Sequence, residues 1–427
     1  VGPVARARGG VNAGRHPELV PLRQARGVVL LAGLGYFVDI FDLLLFAVLR
    51  IPSVRDLGAG DRTLEVGTLL QNTQLVGMML GGLAWGVLGD RRGRRSVLFG
   101  SIALYSVATL ANATVTTVEQ YVAWRFIAGF GLAGELGAAL TLVSERVEAR
   151  ARGTATTIVT ALGVMGGAAA AVAGEFLPWR TAYALGGAMG LALLALRFTV
   201  RDSAMFARTR AAGRERGNVL RLLDDRGRAL RYLRSIVVGV PVWFTLGVLV
   251  TFAPEFARAL GVEGEVTAGR AVLVYYVFAT VGDLSCGLLS QRLKSRRRAV
   301  AIYLAATALS VTAYLAAPVA TPAGFYVLCG GIGFTTGFWA VMVTMAAEQF
   351  GTDLRATVAS SVPTFVRASA VPMTLAFLAL RPALGMIGAA ALVGAASIAA
   401  AAVALRFQSE TYGRDLDFTE LPAGRTP

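Results

Sequence analysis

The chain has 427 residues, of which 55% are hydrophobic and 50 are glycine, and its mean hydropathy is +0.61. A soluble interior of this size cannot hold so much apolar surface, so a water-soluble globular protein is excluded and an all-α polytopic membrane protein is implied. The net charge of +15 would point to nucleic acid if it were spread over a soluble surface, but the arginines fall in short clusters between apolar runs, where they set topology.

Residues 1–27 are basic and interrupted by Pro3, Pro17 and Pro21, without the apolar core of a signal peptide, and read as a cytoplasmic tail. Apolar runs of the length a bilayer requires follow at 28–49, 66–88, 96–114, 119–143, 154–174 and 180–199, and again at 235–257, 269–290, 299–317, 324–349, 357–380 and 384–406. An even count puts both termini on one side. Lysine and arginine are concentrated in the tails and in the loops that share their compartment, which makes that side the cytoplasmic face of a bacterial inner membrane. Residues 201–234 are the longest connection, with ten arginines against four acids, and divide a first half, 28–200, from a second, 235–406. This basic linker reads either as a solvated connection or as a short amphipathic helix on the anionic leaflet. Residues 407–427 form a second cytoplasmic tail. Cys286 and Cys329 both lie inside apolar runs, and their spacing implies no chemistry.

Between the second and third runs stands Gly86-Val-Leu-Gly-Asp90-Arg91-Arg92-Gly93-Arg94-Arg95, a basic turn too short to be anything but a tight loop at a membrane surface. A weaker copy, Gly287 to Arg297, occurs about 200 residues later, with Gln291 in place of the acid. A second pair of motifs has the same offset: Glu145 precedes Arg152-Gly153-Thr154, and Glu348 precedes Arg355-Ala356-Thr357, each across the loop after the fourth helix of its half. Two independent pairs at one offset indicate a duplicated bundle.

On these residues the sequence resembles the major facilitator superfamily, whose cytoplasmic loop between helices two and three carries the pattern matched by Gly86, Asp90, Arg91, Gly93, Arg94 and Arg95. Gly35-Tyr-Phe-Val-Asp39-Ile-Phe41-Asp42 looks like the first-helix signature of its metabolite:proton symporters, and the stretch from Arg125 to Gly137 looks like their fourth helix. The element from Glu145 to Arg152-Gly153 is shared with sugar porters. The chain departs from the symporter pattern at Asp39-Ile-Phe41-Asp42, where Glu-Trp-Tyr-Asp is usual, and at Gln291. The resemblance implies twelve helices in two pseudo-symmetric halves, alternating access, a first-helix acid working with a fourth-helix arginine, and a latch between the halves made by Asp90, the nearby arginines and Glu348.

Charges in a bilayer core are costly unless they face a cavity or a partner, so each one is a functional candidate. Asp39 and Asp42 are three residues apart on one face of the first helix. Arg125, on the antiparallel fourth helix, is expected at the depth of Asp42. An aspartate beside an arginine keeps its charge, and one from which the arginine withdraws takes a proton, so the pair is a candidate proton-coupling device or, alternatively, a static ion pair. Glu135, in a glycine-rich stretch of the same helix, is either a second protonation site or a packing acid. In the second half, Arg367 is a candidate clamp for a substrate carboxylate, or a partner for a carbonyl or for Asp283. Asp90 suits the positive helix N-terminus near Thr357. Glycine runs at 77–82 and 163–167 read as helix contacts.

For the central path, the family architecture nominates Phe41, Trp243, Phe244, Thr335, Thr336 and Trp339, with Gln71, Asn72 and Gln74 close by. The reading is a secondary active transporter, not an enzyme, moving a small organic acid or zwitterion with protons. It needs no cofactor or metal, and it works as a monomer among membrane lipids without nucleic acid. Alternatives are a proton-coupled exporter of a drug-like or siderophore-like compound, and a non-transporting sensor or scaffold.

Overall fold

The computed structural model describes residues 22–92, 94–133, 149–197, 222–351, 354–414, 418 and 420. The first half comprises α1 (Leu22–Asp56), α2 (Thr63–Arg92), α3 (Arg94–Asn112), α4 (Val118–Leu132), α5 (Ala149–Phe176) and α6 (Trp179–Arg197). The second comprises α7 (Arg226–Phe244), which runs into a π-helical turn at Thr245–Val250, then α8 (Ala253–Ala259), α9 (Ala268–Arg292), α10 (Arg296–Ala316), α11 (Pro322–Thr335), α12 (Trp339–Glu348), α13 (Arg355–Ala368) and α14 (Ala370–Arg406). The seventh span is α7, its π turn and α8; the tenth is α11 with α12. The eleventh is α13 with the start of α14, and α14 turns at Gly385 (φ 69°) into the twelfth. The fold is therefore an all-α bundle of twelve spans in two pseudo-symmetric halves. The continuation of the fourth span, with Glu135 and Glu145, lies outside the described residues.

Polar caps set where the helices start. Thr117, Asp225, Thr267, Ser295 and Thr321 each accept a backbone N–H three residues on, satisfying a donor that the first helical turn leaves open. The caps lie at or just outside the apolar runs, so several helices start before the hydrophobic signal does. Packing within the first half relies on small residues: α2 meets α4 along Gly77 and Gly81, whose faces lie against the backbone of Phe126 and Phe130, and α5 meets the backbone of α1 at Gly166.

Behind α14 the chain folds back across the end of the bundle that holds its termini. Glu410 accepts from Ser295 Oγ and from the backbone N–H of Arg296 at 2.9 Å, closing the N-terminus of α10. Burial acts to raise the Glu410 carboxyl, but these donors, with the N–H groups of Thr411 and Tyr412, outweigh it and hold the group below the usual glutamate range. Further on, Glu420 pairs with Arg231 at 3.0 Å and Arg228 at 3.7 Å.

Candidate functional site

The first group of charges is built on a close approach of α2 and α4. A Cβ at Gly129 would stand 2.1 Å from the Gln74 carbonyl oxygen, so only glycine lets the backbones meet there. That contact sets Arg125, one turn away, against the Gln74 side chain: Arg125 Nη2 donates to Gln74 Oε1, and the guanidinium lies 4.4 Å over the Phe46 ring. Arg125 is 2% exposed and its Nε has no acceptor. Asp42 is buried opposite, taking one hydrogen bond on Oδ2 from Thr109 Oγ1 at 2.8 Å, with no donor to Oδ1.

The expected ion pair between Asp42 and Arg125 is thus not made in this conformation, although the two lie within electrostatic reach. Gln74 and Phe46 answer the guanidinium, and Thr109 answers the carboxyl. Gln74 was legible as one of three amides, with Gln71 and Asn72, in an apolar run. Thr109 carried no signal, because a threonine in a span usually bonds its own helix.

A second group joins the halves. Arg367, from α13, is 8% exposed and makes no hydrogen bond or ion pair with any described residue, its Nε buried without an acceptor. The hydroxyl of Tyr36 on α1 lies within electrostatic reach of Arg367, Asp39 and Asp283, and that of Tyr276 on α9 within reach of Tyr36 and Arg367. Asp39 and Asp42 therefore part company: Asp42 bonds Thr109 of α3, and Asp39 lies within electrostatic reach of Tyr36. Neither tyrosine was singled out from the sequence.

Asp283 does not pair with Arg367: its Oδ1 accepts the Ala340 N–H at 3.0 Å, where the tenth span breaks and α12 begins. Two expected roles are corrected. Thr335 turns away from the central path, bonding Ser310 Oγ at 2.7 Å while its carbonyl accepts from Thr307. Phe41 packs inside the first half against Gly186 of α6, not between the halves. Trp339 starts α12 beside the same break and is partly buried.

Between the halves lies a cavity of about 30 Å³, room for a water or two, lined among others by Phe46, Gln71, Gln74, Trp243, Gly247 and Thr251. In the π turn the Thr251 N–H bonds Leu246 and the Phe252 N–H bonds Val248, which skips the Gly247 carbonyl. Gln71 Nε2 reaches across from α2 and donates to that oxygen at 3.0 Å. Its neighbour Asn72 accepts from Thr374 Oγ1 of α14 at 2.7 Å. Both amides therefore hold the halves together in this conformation.

At the end that carries the termini, Gly86 to Arg92 close α2 and Arg94 opens α3. Gly93 lies outside the described residues, as do the side chains of Asp90, Arg91, Arg94 and Arg152. In the second half Glu348 is 9% exposed and holds Arg296 through two bonds, from Nε at 2.6 Å and from Nη2 at 2.7 Å, while Arg355 opens α13.

Comparison with known proteins agrees with this architecture. The chain is 26% identical over 358 residues to the niacin transporter of Acinetobacter baylyi, covering 76% of this chain and 80% of the relative. It is 28% identical over 292 residues to the 3-(3-hydroxy-phenyl)propionate transporter of Escherichia coli, covering 66% and 70%. The fold matches the xylose transporter of Escherichia coli in an inward-open conformation with a TM-score of 0.71, at 16% identity, over 91% of this chain and 97% of the other. The profile of the Major Facilitator Superfamily matches residues 32–374, and with twelve spans, paired halves and a polar path between them, the chain is a multi-pass membrane protein of that superfamily.

Proposed function

We propose that this protein is a proton-coupled importer of an aromatic carboxylate, acting as a monomer in the bacterial inner membrane with both termini in the cytoplasm. The observation that carries this reading is Arg367. A guanidinium buried between the halves with no carboxylate on it among the described residues is costly, and a substrate carboxylate supplies the planar two-oxygen partner that fits it. Tyr36 and Tyr276 flank the same place with aromatic surface and hydroxyl groups, which suits a substrate that joins an acid to a ring. The transport of niacin and of 3-(3-hydroxy-phenyl)propionate by relatives, each an aromatic acid, supports the same class.

Coupling follows from the first group of charges. With one hydrogen bond and no counter-charge at ion-pair distance, Asp42 is carried as the neutral acid, the form hydrocarbon tolerates. When Arg125 leaves Gln74 for Asp42, the carboxylate becomes the favoured form and the proton leaves. Asp39, in the surroundings of Arg367, senses whether a substrate anion is there. Rocking of the two halves then alternates access, and the Asp90 loop with the Glu348–Arg296 pair latches the cytoplasmic side.

The test is proton movement into proteoliposomes, followed with a pH-sensitive dye as aromatic acids, aliphatic acids, zwitterions and sugars are added in turn. An aromatic acid should drive proton influx, Arg367→Gln should abolish uptake, and Asp42→Asn should uncouple it. Uptake that persists in Arg367→Gln would end the carboxylate assignment.

A further inference from the structure

Among the described residues, three ion pairs cross from one half to the other, all at the end of the bundle opposite the termini. Arg50, near the end of α1, meets Glu255 of α8, Nη2 lying 2.6 and 2.8 Å from the two carboxylate oxygens. Glu65 of α2 meets Arg381 of α14 at 2.9 Å, and Glu175 of α5 meets Arg270 of α9 at 2.6 Å. The outer two exchange places under the pseudo-twofold that relates the halves, and the first joins the first span to the seventh. Nothing in the sequence marked these residues beyond their position at the ends of apolar runs.

The three are not equivalent. The flanking side chains are largely in the open, 40% and 51% exposed in one pair and 59% and 28% in the other, where such pairs contribute little. Arg50 is fully buried and Glu255 is 12% exposed. The Arg50 guanidinium also donates to the Thr251 carbonyl at 3.3 Å and the Thr63 carbonyl at 3.4 Å, and lies 4.7 Å from the Phe252 ring centre. Removing either member leaves a charge in a dry place. Thr251 also lines the cavity between the halves, so this pair forms the lid over that cavity.

We propose that Arg50 and Glu255 are the bolt of the outer gate, the pair whose separation the transport cycle requires before the cavity opens to the outside, while Glu65–Arg381 and Glu175–Arg270 keep the halves in register. This rests on the orientation and the alternating access given above, but not on the substrate. In the outward-open state the bolt is broken and Arg50 lines the entrance.

The test uses the full chain with both native cysteines replaced by serine and Ala47→Cys, which lines the cavity, as the reporter. Cells are treated with a membrane-impermeant maleimide. Glu255→Gln should raise the outside labelling rate by about tenfold, as loss of a buried charge partner shifts a two-state balance. Glu65→Gln with Glu175→Gln should change it by less than about twofold. The reversed pair, Arg50→Glu with Glu255→Arg, should label more slowly than Glu255→Gln, and Glu255→Asp should fall between parent and Glu255→Gln if the amide variant fails to fold. Parental labelling in Glu255→Gln and Glu255→Asp, or labelling of the flanking variant as fast as Glu255→Gln, overturns the proposal. Because labelling needs no substrate, failure of the carboxylate assignment would leave this result unchanged.

Discussion

Gln74→Leu is the substitution that tests the coupling device most directly. Leucine keeps most of the side-chain volume and leaves the backbone on which Gly129 packs in place, so the loss is confined to the hydrogen bond from Arg125 Nη2. A hydrogen bond to a charged group contributes roughly 1.5–3 kcal/mol, and the contact with the Phe46 ring, about 2 kcal/mol when desolvated, remains. A loss of about 2 kcal/mol shifts the balance between Arg125 on α2 and Arg125 on Asp42 by roughly thirtyfold toward Asp42. Asp42 then holds its charge through the cycle, and proton-driven uptake into proteoliposomes should fall by about an order of magnitude or more while the protein still elutes as a single folded species. The combined variant Gln74→Leu with Asp42→Asn should be no worse than Asp42→Asn alone, since both act on one step. Parental uptake with parental proton coupling in Gln74→Leu would refute the reasoning and reduce the Arg125 contact to packing.

Gly129→Ala puts a Cβ 2.1 Å from the Gln74 carbonyl oxygen, so α2 and α4 must separate; a loss of about 1–3 kcal/mol or more should appear as a lower melting temperature in detergent. Gly186→Ala places its methyl 2.8 Å from Asp42 Oδ1, and should impair uptake more than it impairs thermal stability. Glu348→Gln takes one charge from a pair held through two bonds and should destabilise the protein by roughly 1–3 kcal/mol, read as a lower denaturation midpoint, with Arg296→Gln no worse than the combined variant. The Glu410 carboxyl is depressed in the folded state, so its contribution is complete above the ordinary glutamate range and is lost as pH falls through the depressed value. Glu410→Gln should therefore release the tail to limited proteolysis at neutral pH, and the parent should match it only in acid.

The spans were legible because a bilayer demands long apolar runs and nothing else in the chain supplies them. Their ends were less so: Ser295 and Thr321 cap helices from positions that hydropathy assigns to loops. Breaks in the second half had almost no signature. Pro241 precedes the π turn and Gly337 sits at the interruption of the tenth span, but neither residue type is specific in a membrane. The charged residues of the site announced themselves by being charged in hydrocarbon. What they touch did not, because a helix apolar all round does not say which way it faces, and so Phe41 and Thr335 were assigned to a path that they turn away from. Arg50 and Glu255 stand 205 residues apart, and only the fold brings them together.

The uneven distribution of helix breaks gives the two halves different mechanics. Among the described residues, α1, α2 and α5 run 35, 30 and 28 residues without interruption. The second half is cut at Thr245–Val250, between α11 and α12, and at Ser369. An unbroken helix carries a displacement along its axis, whereas a broken one absorbs it by bending. Among the described residues, the half that holds Asp42 and Arg125 is thus the stiffer and the half that holds Arg367 the more compliant. A displacement of the stiff side reaches its partner as stored flexure.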